Sequence, residues 1–418
     1  MKLSSIILAT AVAILSFSSC EKSVPDQQGH EPVPGTPYDL TKSHSEMVTE
    51  GNTFAFNLLS KVSEDNNIRG KDFMFSPLSI SFVLGALNNG ATGQTSEEIL
   101  SAIGFEDRTS DDINGYCRSI LDGCPGVDEL VKVKMANAVV VKEGFELKSS
   151  FSTALSEYYD AYVRSMAFDS KALEAINNWC NEQTEGMIPQ ILEKIPAEAC
   201  LFTLNSIYFK GDWTAKFEKS ETRKRTFTNI DGSSGEISMM HMEEMFEYSS
   251  NDIWATARLP YGNGSYSMYV LLPHQDRSLD DVLAVLDSQT WENEKNMMRA
   301  ARLDLMLPSF DTETTLKLKD IMRNLGMVRA FDSFYAEFNE MFDSSDHTYL
   351  GLLLQKSKII VNEEGTEAAA VTIGGEFNTA VPPSAPQTVN FHADRPFIYI
   401  IQEKSSNAIF FIGAKVKA

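Results

Sequence analysis

Three stretches of this chain carry residue types that do chemistry elsewhere, and each lacks a partner that the chemistry needs. Ser76, in Phe75-Ser76-Pro77-Leu78-Ser79-Ile80-Ser81, has the hydroxyl of an acyl-transfer nucleophile. The flanking glycines that allow the sharp turn of a nucleophile elbow are missing. Residues 89–98, NGATGQTSEE, contain glycines but neither the GxxxxGK[ST] spacing nor a preceding strand to build a phosphate cradle. His241-Met242-Glu243-Glu244 has no second His one helical turn away, as a two-His zinc helix requires. The six His are scattered singly, and no CxxC or tetrahedral zinc spacing occurs. The expectation is a chain with no metal and no cofactor that turns over no substrate.

A fourth stretch points to physical work. Residues 361–372 read VNEEGTEAAAVT. A strand-like lead-in, Lys358 to Val361, meets an acidic turn, Glu363-Glu364-Gly365. Thr366, Glu367, Ala368, Ala369, Ala370, Val371 and Thr372 follow, with little side-chain bulk among them. Such a run is poor core material, because Ala favours helix and buries little. It makes sense if the segment must enter a sheet that is already packed, where bulk would clash. Strand side chains alternate, so Thr366, Ala368, Ala370 and Thr372 would share the inward face. All four are small.

These residues resemble the reactive-centre-loop hinge of the serpin family. Residues 75–98, FSPLSISFVLGALNNGATGQTSEE, resemble its helix B and the turn after it. LNSIYFKGDWTAKF at 204–217 resembles its third central strand and the breach. LPSFDTETTLKLKDIMRNLGM at 307–327 fits next, and FHADRPFIYIIQEKSSNAIFFIGAK at 391–415 resembles the closing strands. The motifs run in family order from about Thr49 to Ala418. The resemblance implies one α+β domain, residues 45–418. Its large, mostly antiparallel central sheet would have surrounding helices, further small sheets and an exposed reactive loop at about 363–390.

The resemblance also implies a mechanism and a set of sites. A serine or cysteine protease would attack the loop as a substrate and form an acyl-enzyme. The freed loop would then insert as a new strand of the central sheet and distort the attached protease. Glu363, Glu364, Gly365, Thr366, Glu367, Ala368, Ala369 and Ala370 would form the hinge. Ser76, Pro77, Asn205, Trp213 and Gln355 would form the shutter and breach. Counting from Glu363 places the scissile bond at Thr379-Ala380, before Val381-Pro382-Pro383. A small uncharged Thr suits an elastase-like or subtilisin-like serine protease, whereas a trypsin-like pocket would keep an unpaired acid. Phe377 as the specificity residue would suit a chymotrypsin-like target, and Phe377 with Asn378 a papain-like cysteine protease. A serpin-fold binding or scaffold protein with no inhibitory cycle, and a hydrolase on the same scaffold, are the competing readings.

The chain departs from the family pattern at several points. Gln355 stands where many relatives carry a shutter His, so its network with Ser76 and Asn205 must be arranged differently. Ser309 replaces a Lys that pairs with the first hinge Glu. Gly374 and Gly375 weaken an inserted strand, and Glu376 would point inward. The exit, Pro382 to Asn390, is several residues longer than in many relatives.

Helices and strands must position these residues. Phe54, Ala55, Leu58, Leu59 and Val62 recur at helical spacing after a polar start at Thr49–Thr53. Leu78 to Leu87, after Pro77, is apolar nearly all round, as a buried helix would be. Phe151 to Tyr159 and Ala172 to Glu185 read as helices. Val131 to Val141, Leu201 to Phe209 and Tyr266 to Leu272 read as strands, the last closed by Pro273. No internal repeat is visible.

Composition sets the remaining bounds. Hydrophobic content of 43% with 25 Phe is ample for a core, and a net charge of −22 disfavours nucleic acid as a partner. The N-terminus reads as a targeting segment, with Lys2, an apolar stretch from Ile6 to Leu15, and Ser18-Ser19-Cys20 as a processing site. Ser18 and Ser19 before Cys20 resemble a bacterial lipobox, with Phe17 in place of the usual Leu. Residues 1–19 are therefore expected to be a lipoprotein signal peptide and Cys20 the acylated residue. An ordinary signal peptide cut nearby is the alternative. Residues 20–44, rich in Pro, Gly and Gln, would be a flexible tether. The expected setting is a monomer anchored by lipid in a bacterial cell envelope and surface-exposed, or otherwise secreted or periplasmic. Cys117 and Cys124 are close enough in sequence to consider as a disulfide, and buried thiols are an equally ordinary reading of Cys180 and Cys200.

Overall fold

The computed structural model describes residues 34–196, 199–342, 348–366 and 387–418. Thr41 opens the first helix, its hydroxyl accepting from the His44 N–H at 3.1 Å. Helix α1 (Lys42–Glu64) therefore starts before the amphipathic pattern does. The chain continues through β1 (Phe73–Phe75), α2 (Pro77–Asn88), α3 (Gly93–Ile103), α4 (Ser110–Val127), β2 (Val131–Lys142), α5 (Ser149–Tyr159), β3 (Tyr162–Met166) and α6 (Ser170–Gln183). Then follow β4 (Leu201–Asp212), β5 (Arg223–Thr228), β6 (Ser234–Ser250), β7 (Trp254–Pro260), β8 (Tyr266–Pro273), α7 (Leu279–Leu283), α8 (Ser288–Met297), β9 (Arg299–Pro308) and β10 (Phe310–Lys317). The last elements are α9 (Leu318–Asn324), β11 (Leu350–Asn362), β12 (Gly365–Thr366), β13 (Val389–His392), β14 (Phe397–Glu403) and β15 (Ile409–Lys415).

The central sheet has the order β10-β11-β12-β4-β2-β3. Its ladders are antiparallel except β2 with β3 and β11 with β4. Helix α2 lies behind it and is buried at every position, as its all-round apolar sequence requires. The front of the sheet carries a smaller core, in which Ile176 and Trp179 of α6 meet Ala138, Phe202, Leu204 and Leu354.

The other strands join in a single nine-stranded sheet rather than several small ones. Strand β6, 17 residues long, makes the join: its first part pairs with β5, and it continues along β9 and β7. Strand β13 closes one edge of this sheet, pairing with β9 and setting Phe391 against Tyr248 of β6.

Two expectations change. Residues 34–44 are not a free tether: 34–41 lie against the domain and α1 starts at Lys42. The Thr36 N–H donates to Gly126 O at 2.8 Å and the Tyr38 N–H to Ser405 Oγ at 2.9 Å. Gly123 supplies the notch for the Tyr38 ring, since a Cβ there would lie 2.2 Å from it. A single aromatic with a glycine-lined seat outweighs the Pro- and Gly-rich composition around it.

The four described cysteines are free. Cys117 and Cys124 sit on one helix, seven residues and so about 10 Å apart along its axis, beyond the reach of a disulfide. Burial pushes the Cys124 and Cys180 thiols up to about 11 and Cys117 higher still.

Candidate functional site

The seam between β4 and β11 is the feature around which the site is built. These two strands run parallel, paired from Leu350 with Leu201 to Lys358 with Tyr208. At the upper end the chain leaves β11, turns at Glu363-Glu364 and comes back as β12. Gly365 and Thr366 pair antiparallel with Asn362 and Val361 on one side and with Asp212 and Gly211 on the other. The hinge therefore already occupies the top of the seam by two residues.

Only glycine fits at 365. Its φ is +151°, and an added Cβ would lie 2.1 Å from Gly211 O and 2.6 Å from Asp212 Cα. Both obstacles are backbone and cannot swing away. Thr366 is fully buried, its hydroxyl 2.8 Å from that of Tyr261. The Tyr261 ring stacks on Trp213 at 4.3 Å between centroids. Trp213 holds the turn twice, through its backbone N–H to Glu364 O (2.8 Å) and its indole N–H to Asn362 O (2.9 Å).

The two hinge acids have different partners. Glu364 takes Lys219 at 3.0 Å and Lys216 at 3.1 Å, and Lys216 also bonds Asp212 at 2.9 Å. The ammonium of Lys219, helped by that of Lys216, holds the Glu364 carboxyl below its ordinary value. Glu363, which lacks the Lys that would stand at Ser309, accepts from the Thr222 hydroxyl at 2.7 Å. Its backbone carbonyl accepts from the Phe217 N–H at 3.0 Å.

Lower in the seam lies a buried polar network. Gln355 bridges helix α2 and strand β4. Its Oε1 accepts from the Ser76 N–H (2.8 Å), while its Nε2 donates to Ser76 O (3.0 Å) and Asn205 Oδ1 (2.6 Å). Asn205 Nδ2 donates to Ser79 Oγ and to Asn137 Oδ1, the latter at 2.8 Å. Ser76 caps α2 by accepting from the Ser79 N–H, and Pro77 stands at the first helical position, where no N–H is needed. The amide of Gln355 supplies both a donor and an acceptor here, which is how the network closes without an imidazole.

The structure thus brings Ser76, Pro77, Asn205 and Gln355 into one network, and Trp213, Glu363, Glu364, Gly365 and Thr366 into another. Glu367, Ala368, Ala369, Ala370, Thr379, Ala380 and Cys20 lie outside the described residues. Sequence reading missed Lys216, Lys219, Thr222 and Tyr261 at the hinge, and Ser79 and Asn137 at the network. The one signal was the Lys216 and Lys219 pair just after Trp213, of a sign opposite to the acidic turn. Among the described residues no His, Cys, Asp and Glu cluster could hold a metal ion.

The parallel seam, the two hinge residues Gly365 and Thr366 paired at its top, and the polar bonds across it stand in a mixed six-stranded sheet. The chain belongs to the serpin family: the family model described as Serpin (serine protease inhibitor) matches residues 49–418. Mouse neuroserpin is 30% identical over 380 residues, covering 88% of this chain and 90% of neuroserpin. An uncharacterized serpin-like protein of Thermococcus kodakarensis is 30% identical over 392 residues, covering 91% of this chain and 88% of that protein. The crystal structure of tengpin, a thermophilic serpin in its native state, superposes with a TM-score of 0.82 at 27% identity, covering 93% of this chain and 97% of tengpin. Most serpins are protease inhibitors, and some are not.

Proposed function

We propose that this chain is a suicide-type inhibitor that traps a serine protease as a covalent acyl-enzyme. The observation that carries the reading is the register of β12. Continued down the seam in an inserted strand, the two β12 ladders would put Ala368 between Ile359 and Phe209, Ala370 between Ser357 and Ile207, and Thr372 between Gln355 and Asn205. All of these neighbours are buried. The face that must slide past them carries nothing larger than Thr. Thr372 would bring a hydroxyl to the level of the Gln355–Asn205 bond. Glu376 would reach the level of Gly351 and the buried Leu201, the end of the ladder, where its carboxylate is a cost to full insertion. Insertion also replaces one parallel ladder by two antiparallel ones, the more stable kind of pairing.

The protease's own acyl transfer supplies the covalent step: its serine attacks the carbonyl carbon of residue 379 and the amine of residue 380 leaves. Insertion then pulls the ester-linked enzyme away and distorts its oxyanion hole. Losing one such donor costs about 10²–10³ in rate, so deacylation stalls. The small Thr379 favours an elastase-like or subtilisin-like target, and Phe377 would point instead to a chymotrypsin-like one. The lipobox-like Ser18-Ser19-Cys20 supports a lipid-anchored protein of a bacterial envelope, which an intact mass carrying acyl chains on Cys20 would test.

The test of the function is a denaturing gel of the chain from Cys20 onward mixed with pancreatic elastase. A band near the summed masses and a released peptide beginning at Ala380 are expected. Loop cleavage without any stable adduct would remove the inhibitory reading in favour of a binding or scaffold role.

A further inference from the structure

We propose that Arg223, Lys224 and Arg225 form a docking surface for the protease that takes the loop, and that the enzyme it fits carries an acidic rim beside its cleft. The inference deepens the reading above and rests on its first step, that a protease takes the loop as a substrate. Strand β5, which holds the three cations, pairs only with β6 among the described residues, so its outer edge is open. All three side chains are exposed, as is Thr226 after them. Alternation sends Arg223 and Arg225 to one face and Lys224 to the other. The ladder sets them opposite Met239, Ser238 and Ile237, none of which is charged.

No acid neutralises this charge. Glu221 stands two residues before Arg223 and Glu236 lies opposite Thr226, yet neither pairs with any of the three. The Arg223 guanidinium donates to the carbonyls of Ser220 and Thr222, the latter at 3.1 Å, with no carboxylate against it. Lys219, just upstream, is by contrast taken up by Glu364 at 3.0 Å. Charge on an edge strand also guards against pairing with another sheet. Either sign serves that purpose, and the chain has 58 acids to 36 bases. Three consecutive cations need a further reason.

Their position supplies one. Thr222, the residue before the patch, donates to Glu363 at 2.7 Å, where the chain turns into the loop. At the other end of the loop the Thr388 hydroxyl donates to Glu243 of β6 at 3.2 Å. Glu243 lies four residues beyond Met239, the partner of Arg223, and so at most about 13 Å along the strand. A protein seated on its partner covers about 800 Å², a disc of roughly 16 Å radius. An enzyme centred between the two ends of the loop therefore covers the patch. Charges at such a rim act on the encounter, raising the association rate with a surface of opposite sign and losing that effect as salt rises. A chain of net charge −22 repels an acidic enzyme overall, so the patch selects the side from which it approaches.

The test compares two triple variants of the chain from Cys20 onward. One carries Arg223→Gln, Lys224→Gln and Arg225→Gln. The other carries Lys142→Gln, Lys194→Gln and Lys317→Gln, which gives the same net charge but removes exposed cations from the opposite end of the central sheet. The probes are subtilisin and subtilisin with succinylated lysines, an acidic surface around the same cleft. The rate of loss of intact chain is followed as added salt shortens the Debye length from about 30 Å to about 3 Å. Against the succinylated probe the first variant should react about tenfold more slowly than wild type at low salt, and equally fast at high salt. Against unmodified subtilisin it should react as fast as wild type or faster, and the second variant should stay close to wild type with both probes. Equal slowing of the two variants, or no slowing of the first, would overturn the docking surface. So would retention of the wild type alone on heparin with unchanged reaction rates, which would give the patch to a free polyanion. Failure here is separable from failure of the proposed function. Cleavage of every chain without a stable adduct, at rates ordered as expected, removes the inhibitory reading and leaves the surface. Stable adducts formed at equal rates remove only the surface.

Discussion

Replacing Ala368 by Arg should turn the protein from a trap into a substrate, and replacing Glu367 by Arg, one residue earlier, should not. In the continued register the side chain at 368 falls between Ile359 and Phe209, 0% and 1% exposed. The Phe209 ring is itself enclosed by Tyr261, Tyr266 and Phe411. A guanidinium delivered there loses its water and meets apolar groups, at a cost of several kcal/mol. If about 2.5 kcal/mol of that is felt at the barrier to insertion, insertion slows roughly 70-fold. Insertion competes with deacylation, so a lead of about tenfold in the wild type becomes a clear deficit. In the same continued register position 367 would face the other side, beside Ile360 and Lys210, which are both partly exposed. An Arg there reaches water and costs under about 1 kcal/mol. The assay is the titration of pancreatic elastase activity, with adduct and cleaved chain quantified on a denaturing gel. Ala368→Arg should give cleaved chain, recovering protease and little adduct, while Glu367→Arg keeps most of the wild-type adduct. Equal loss in both variants, or full adduct in Ala368→Arg, would refute the register and with it the inward face.

Two further outcomes follow from the networks. Gln355→Leu strips partners from the Ser76 N–H and C=O and from Asn205 Oδ1, all buried. It should destabilise the uncleaved protein by about 3 kcal/mol, read as a lower thermal midpoint, and an unchanged midpoint would show that the network carries no weight. The Glu364 carboxyl is held low by Lys219 and Lys216, so its stabilisation is present above its ordinary value of 4.5 and is lost as pH falls through the depressed one. The hinge, followed by Trp213 fluorescence, should loosen in that acid window by about 1 kcal/mol or less in the wild type. Glu364→Gln should lack that acid step and be looser at neutral pH, and an identical acid step in both would dissociate it from this carboxyl.

What could be read from the chain was what the chain states locally. The turn at Glu363-Glu364-Gly365 was legible because two acids and a glycine after a strand-like run are a property of consecutive residues. Helix α2 was legible because a helix apolar all round has one explanation in a chain of this composition. The partners of these residues were not, because they come from far along the sequence: Thr222 is 141 residues from Glu363, and Ser76 is 279 from Gln355. Strand β6 was missed because its burial alternates irregularly as it passes from one neighbour to the next. The start of α1 was missed because the Thr41 cap is a single residue inside a Pro- and Gly-rich stretch.

On the proposed insertion reading, the placement of polar bonds bears on how the uncleaved molecule would open. The Phe209 cluster is aromatic and α2 is buried at every position, with its polar bonds to the sheet at Ser76 and Ser79. Beside the apolar neighbours of the seam, polar bonds cross the places that the proposed insertion would open: Gln355 to Asn205 between β11 and β4, and Glu364 to Lys216 and Lys219 at the hinge. An apolar seam forced apart exposes surface that nothing compensates until the strand is fully in place. A polar seam can exchange partners with water or with the incoming strand as it opens, so its net loss is a fraction of its gross strength. Thr372, which reaches the Gln355 and Asn205 level in the continued register, can offer a hydroxyl where the amides separate. Replacing that seam by well-packed apolar residues would therefore be expected to leave the uncleaved protein stable and slow its insertion, and the two properties could be changed independently.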